Sequence, residues 1–151
     1  MAGPNTARNY QATRLLRRWS KRFEEVGSEG PTMRAADTIA ALKVASTIER
    51  MDAGVTPRGV PFKPLTAAYV KRKGHDIFWQ LSGESRGKVQ ATVVTRKSII
   101  IVINTPWSGW ANSDGRVPRR VLGNSREDTK AIRRILLHDF KQQIGGAPDG
   151  R

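Results

Sequence analysis

Between Thr56 and Gly74 the chain reads T-P-R-G-V-P-F-K-P-L-T-A-A-Y-V-K-R-K-G. Pro57, Pro61 and Pro64 fix three φ angles and remove three N–H donors, so this stretch can be neither helix nor central strand. Gly59 provides an unrestricted φ, while Val60, Phe62 and Leu65 carry apolar side chains that a mere linker would not need. The segment is therefore a defined turn. Thr66 caps a short helix over 67–73, with Tyr69 and Val70 inward, Lys71, Arg72 and Lys73 outward, and Gly74 as its stop.

Two amphipathic stretches precede this turn. Ala12, Leu15, Leu16, Trp19, Phe23 and Val26 recur at three-and-four spacing and predict a helix over about 7–26. Its apolar stripe suits core packing better than a membrane surface, and Arg14, Arg17, Arg18, Lys21 and Arg22 lie mostly on the other side, open to DNA or an acidic protein. After a break at 27–31, a second helix over about 32–52 presents Ile39, Leu42, Val44, Ile48 and Met51, a broad face suited to lying on a sheet.

Downstream, 75–81 reads either as a strand or as a loop packing Ile77, Phe78 and Trp79. Residues 88–95 alternate, with Val89, Ala91 and Val93 on one side, as a half-buried strand does. Arg96 and Lys97 make a charged turn. Ile99 to Ile103 is apolar on both faces, which predicts a central strand covered by helices on one side and by loops or a neighbouring subunit on the other. A loop over 105–124 carries Trp107, Trp110, Arg116, Arg119 and Arg120, and loops of this length in compact domains are functional or ordered by a partner. Ser125 then caps a final helix reaching about Ile144, with Asp128 at the capping-box position and Ile132, Ile135, Leu136, Phe140 and Ile144 inward. The fold class is α+β: a small antiparallel sheet packed by two long N-terminal helices and a C-terminal helix, with long loops. The 151 residues suffice for a single domain, 1–151, with flexible tails at 1–6 and 146–151.

Lysine and arginine number 27 against 13 acids, a formal charge of +14. Such a balance implies nucleic acid or acidic protein neighbours, or a solvated basic surface. There is no cysteine, which excludes disulfides and thiolate metal sites. No apolar run approaches the roughly 20 residues of a membrane span, so a membrane is not an expected partner, and a cytoplasm, or a particle assembled there, is the expected setting.

Gly83-Glu84-Ser85-Arg86-Gly87 matches the G-x-S-x-G nucleophile elbow, with Asp128 and His138 following in hydrolase order. An elbow needs a strand before the serine and a helix after it, whereas here an alternating strand follows. No catalytic residue is assigned. His75 and His138 lack a second ligand at metal-helix spacing, and no phosphate cradle occurs, so no metal or other cofactor is expected.

The order of Pro57, Gly59, Phe62, Pro64, Leu65, Thr66, Lys73, Gly74, Leu81 and Gly83 resembles the phage virion morphogenesis family, the tail-completion or head-tail joining proteins of long-tailed phages. That family's turn reads P-D-G-x-x-W-x-P-L-S, with L-x-x-T-G after it; Phe62 stands here for Trp and Ser82 for Thr. Pro118, Arg120, Leu122 and Gly123 match the family's later P-x-R-P-F-L-G, whereas Trp107, Ser108 and Gly109 replace the tyrosine-, histidine- and glycine-bearing segment before it. The resemblance extends over about 15–144 and is specific only in these two elements.

It implies a structural virion protein at the neck: a ring, hexameric to match the tail, joining tail to head around the DNA channel. The alternatives are a tail terminator and a free basic DNA-binding protein contacting phosphates without sequence preference. Neighbouring neck and tail proteins are the implied partners. Trp107, Trp110 and Phe62 are the candidate interface residues, the loop tryptophans because exposure is costly unless a partner or their own core buries them. Arg116, Arg119, Arg120, Lys71, Arg72 and Lys73 are the candidate charges for the channel or a partner, with a structural ion pair as the other reading of Arg120.

Overall fold

The computed structural model describes residues 4–74, 76, 87–105 and 120–145. Among them are four helices and one antiparallel hairpin, an α+β arrangement: α1 (Pro4–Glu29), α2 (Met33–Ala53), α3 (Ala67–Lys73), β1 (Val89–Thr95), β2 (Ser98–Ile103) and α4 (Arg126–Gly145). α1 begins at Pro4, inside the stretch expected to be a flexible tail, and runs through Gly27 to Glu29. A glycine in a helix costs only about 1 kcal/mol relative to alanine, so Gly27 alone does not break it. The stop is Gly30, at φ +78, whose N–H still bonds to Val26 O at 3.0 Å.

α2 is capped at both ends. The Thr32 hydroxyl accepts from Ala35 N at 3.2 Å, and Gly54, at φ +64, closes the last turn through its N–H. The proline turn is as defined as its sequence demands. Phe62 N bonds to Gly54 O at 2.7 Å, Val55 bridges Pro61, and Thr56 binds Val60 through both its N–H and its hydroxyl. Thr66 and Gly74 cap α3 as expected.

The hairpin pairs Val89 with Ile103 and Ala91 with Ile101, with an irregularity between Val93 and Thr95. Its inner residues face α2, and α4 also packs on α2, so this helix is the shared wall. Met51, Val89, Ile103 and Val121 form the core there, with Val44, Ile48, Phe62, Ile101 and Leu122 packed against it. The hairpin tip reaches back to the end of α1. Lys97 Nζ donates to Ser28 O at 2.6 Å and Arg96 pairs with Glu29 at 3.7 Å, supplying the cations that the last turn of α1 lacks and its dipole favours. Lys97 also fills the space over Gly30, where a Cβ would stand 2.6 Å from its Cε.

Two packing expectations change. Among the described residues β2 pairs only with β1, so it is one strand of a hairpin and not a central strand, and its outer side chains Ile100 and Val102 are exposed within the single chain. The stripe of α1 is also bare: among its described side chains Leu15, Leu16, Trp19 and Phe23 are exposed and only Val26 is buried. Periodicity fixes which side of an element is apolar; whether anything covers that side depends on partners the pattern does not contain.

Gly123 sits at φ +132, and a Cβ on it would lie 3.2 Å from Pro57 Cγ. We expect Gly123→Ala to destabilise the fold by roughly 1–3 kcal/mol through backbone strain plus this crowding. In chemical denaturation, adding Pro57→Ala should recover only the crowding part.

Candidate assembly surfaces

α2 carries Lys43, Thr47 and Arg50 at i, i+4 and i+7, one polar line on a helix otherwise turned inward. All three are buried, at 7 %, 1 % and 6 % exposure. They meet Asp128, 3 % exposed, at the start of α4. Asp128 Oδ2 accepts from Lys43 Nζ at 2.7 Å, from Arg50 Nη1 at 3.0 Å and from Ser125 N at 3.1 Å. The Ser125 hydroxyl accepts in return from Asp128 N at 2.9 Å, completing the capping box with aspartate in the reciprocal role. Two cations against one carboxylate leave a surplus charge, which backbone carbonyls absorb. Gly123 O accepts from Lys43 Nζ and Arg50 Nη2, and Val121 O accepts from Arg50 Nε at 3.0 Å. Burial by itself raises the Asp128 carboxyl pKa, but hydrogen bonds from Lys43, Ser125 N and Ser46, with the Lys43 charge, outweigh it and bring the value down to about 2.

Asp139, eleven residues on and thus about three turns along α4, makes the second tie. Its oxygens accept from Thr32 N at 3.0 Å, Thr32 Oγ1 at 2.6 Å and Gln143 Nε2 at 2.8 Å. Burial opposes ionisation here too, and the Thr32 and Gln143 bonds lower the pKa despite it. One acid fixes the start of α4 near the end of α2, and the other fixes its far part at the start of α2. The helices are therefore antiparallel and held in one register.

Around this frame lie uncovered apolar surfaces. On one, Phe23 stacks on Phe140 with ring centroids 6.1 Å apart, Trp19 lies 6.1 Å from Phe23, and Leu136 and Leu137 are exposed beside them. An open cleft of about 410 Å³ between the end of α1 and α4 continues it, lined by Val26, Pro31, Leu136, Leu137 and Phe140. Leu136 and Phe140, expected inward, stand at this surface because α1 meets α4 only near its own C-terminal end. The second surface is the outer face of the hairpin, where Val94, Ile100 and Val102 are 45–55 % exposed.

Of the predicted site residues, Phe62 is half-buried against the molecule's own core. Lys71 and Arg72 are exposed, with the Arg72 guanidinium 5.0 Å over the Tyr69 ring. Lys73 is half-buried and Arg120 exposed, and both have partners of their own. Trp107, Trp110, Arg116 and Arg119 lie outside the described residues, as do residues 83–86 of the G-x-S-x-G motif. Asp128 and His138 are ten residues apart on one helix, roughly 15 Å, beyond hydrogen-bond reach, and Asp128 is committed to Lys43 and Arg50. No group of three His, Cys, Asp or Glu residues among the described ones is placed to hold a metal, and no helix among them is long and apolar enough to cross a membrane.

Pro57 and Gly123 come from the two segments that carry the family resemblance, and they are in contact. Lys43 and Arg50, which hold the Gly123 carbonyl, were not legible as buried groups; their one signal was the regular spacing with Thr47. Compared with protein-family models, curated proteins and solved structures, the chain matches none.

The depressed carboxyl of Asp128 makes stability depend on pH. Its contribution is fully present above the unfolded value near 3.8 and is lost as pH falls through about 2, amounting to roughly 2 kcal/mol. Urea midpoints measured at steps from pH 6 to pH 2 should fall mainly below pH 4. Asp128→Asn, which leaves two buried cations facing each other, should cost roughly 3–5 kcal/mol at neutral pH and flatten that acid limb.

Proposed function

We propose that this chain is a ring-forming structural subunit of a tailed-phage virion, acting at the head-tail connection around the DNA path. The observation that carries the reading is the pair of separate uncovered apolar faces, one on α1 and α4 and one on the hairpin. A closed ring of identical copies uses a heterologous contact, in which two different faces of each subunit meet. A free monomeric DNA-binding protein has no use for two such faces, whose exposure favours association. The resemblance carried by the proline turn and the Leu122-Gly123 element supplies the setting, and the contact of Pro57 with Gly123 makes those two elements one structural unit. The charge of +14 suits a subunit that lies along DNA.

Particles made with and without this gene test the setting. Filled heads beside tails of normal length that fail to join are the expected outcome, and infectious virions in normal number would refute it. Tails of irregular length would instead indicate a terminator at the tail end.

The ring contact has its own signature. Ile100→Asp should block assembly through the hairpin, and Leu16→Asp through α1. Mixing the two variants leaves one intact pair of faces, so sedimentation should show dimers and no rings.

A further inference from the structure

We propose that the groove between α2 and α4, lined by Arg34 and Thr38 on one side and by Arg134, His138 and Gln142 on the other, binds the phosphodiester backbone of duplex DNA. The inference rests on the reading above for its setting, since DNA passes the subunit there, and on the following chemistry for its place.

α4 sorts its charges. Asp128 and Asp139 are both spent inward on α2, whereas Lys130, Arg134, His138 and Lys141 are exposed. At about 100° per residue these four fall within an arc of roughly 80°, successive groups about one turn, or 5–6 Å, apart. The result is a row of donors along one helix face, bordered by a cleft of about 400 Å³. Asp139 also borders the cleft, but its two oxygens already accept three hydrogen bonds from Thr32 and Gln143.

From the other wall comes Arg34, in the first turn of α2. That turn holds no acid, so the residue adds a cation at the positive end of the helix dipole, where an anion is favoured. Neither Arg34 nor Arg134 has an ion pair among the described residues. Two unpaired guanidiniums from different helices, with a hydroxyl, an amide and an imidazole between them, match phosphate oxygens in charge and in hydrogen-bonding capacity. No base-reading motif organises the groove, so its contacts are to backbone phosphates and steeply salt-dependent.

The test is fluorescence anisotropy of a labelled random-sequence duplex with the full chain, titrated at several NaCl concentrations. Arg34→Gln with Arg134→Gln should lower the slope of log K against log salt by about 2, since each lost phosphate contact removes roughly 0.9. Lys71→Gln with Arg72→Gln, which removes the same charge from α3, should change it less; an equal fall would mean a diffuse field and overturn the site. Arg34→Lys with Arg134→Lys should keep most of the slope, and its loss would overturn a charge-based contact. The melting temperature of Arg34→Gln should be no lower than that of the parent, because the substitution relieves the helix end. A marked drop would make Arg34 structural and also overturn the proposal. Tighter binding to phosphatidylserine vesicles than to DNA, lost in the same double variant, would assign the groove to a lipid surface instead. The titration uses isolated protein, so its failure and failure of the particle experiment are read separately.

Discussion

One carboxylate holds the centre of this molecule. Asp128 is shared by Lys43, Arg50 and the N-terminal turn of its own helix, and the surplus positive charge is led off into the carbonyls of Val121 and Gly123. Buried clusters of this kind add little net stability over well-packed apolar groups, because desolvating three charges costs about as much as their attraction returns. What this one supplies is geometry. Asp128 meets both cations at one axial position of α4 against α2, and Asp139 on Thr32 repeats the condition three turns away. The segment 121–123 is caught between, and Gly123 in turn seats Pro57. Thus α2, α4 and the segment leading into α4 share a single set of hydrogen bonds, and the proline turn rests on it through Pro57.

Much of the fold was readable because its signals are local. Proline and glycine geometry fixed the turn and the short helix, Ser125 and Asp128 marked the start of α4, alternation found the first strand of the hairpin and an unbroken apolar run the second. The buried cluster was not readable, since lysine and arginine are ordinarily surface residues and their partner is distant in sequence. Only the spacing of Lys43, Thr47 and Arg50 hinted that one side of an alanine-rich helix was reserved for something polar. The candidate site was less legible still. Leu15, Leu16, Trp19 and Phe23 announce an apolar side whether it meets the same chain or another, and Ile100 and Val102 do the same for the hairpin. Among the described residues, the pattern was right about the side on α1, but the expected core cover is missing; on β2 it found both sides apolar, and the outer one has no cover within the single chain.

The distribution of charge follows from the same arrangement. α4 spends two of its acids inside the protein and leaves Lys130, Arg133, Arg134 and Lys141 outside, while α2 spends Lys43 and Arg50 on Asp128, so the charges turned inward balance and the surface keeps the chain's whole positive surplus. α1 adds Arg14, Arg17, Arg18 and Lys21, with Glu25 near enough only to Lys21 and Arg22. The strongly basic exterior is thus set by composition, and the locking of the helices decides only where on the surface the cations lie.

A basic exterior sets a condition on any ring of identical copies. Subunits carrying +14 repel one another, and at physiological salt that repulsion acts over about 8 Å. On the ring reading, contact must therefore occur where charge is absent. The hairpin offers such a place: its outward residues are Gln90, Thr92, Val94, Ser98, Ile100 and Val102, none of them ionisable. The apolar stripe of α1 can meet this neutral face with its arginines turned away, and burying both removes apolar area from water at roughly 25 cal/mol per Å². The remaining repulsion falls on the surfaces that do not touch, where the phosphates of a DNA strand are its natural counter-charge. On that same reading assembly and DNA would be coupled: each copy added to the ring would gather more positive charge beside the path, and each phosphate held there would lower the cost of adding the next copy.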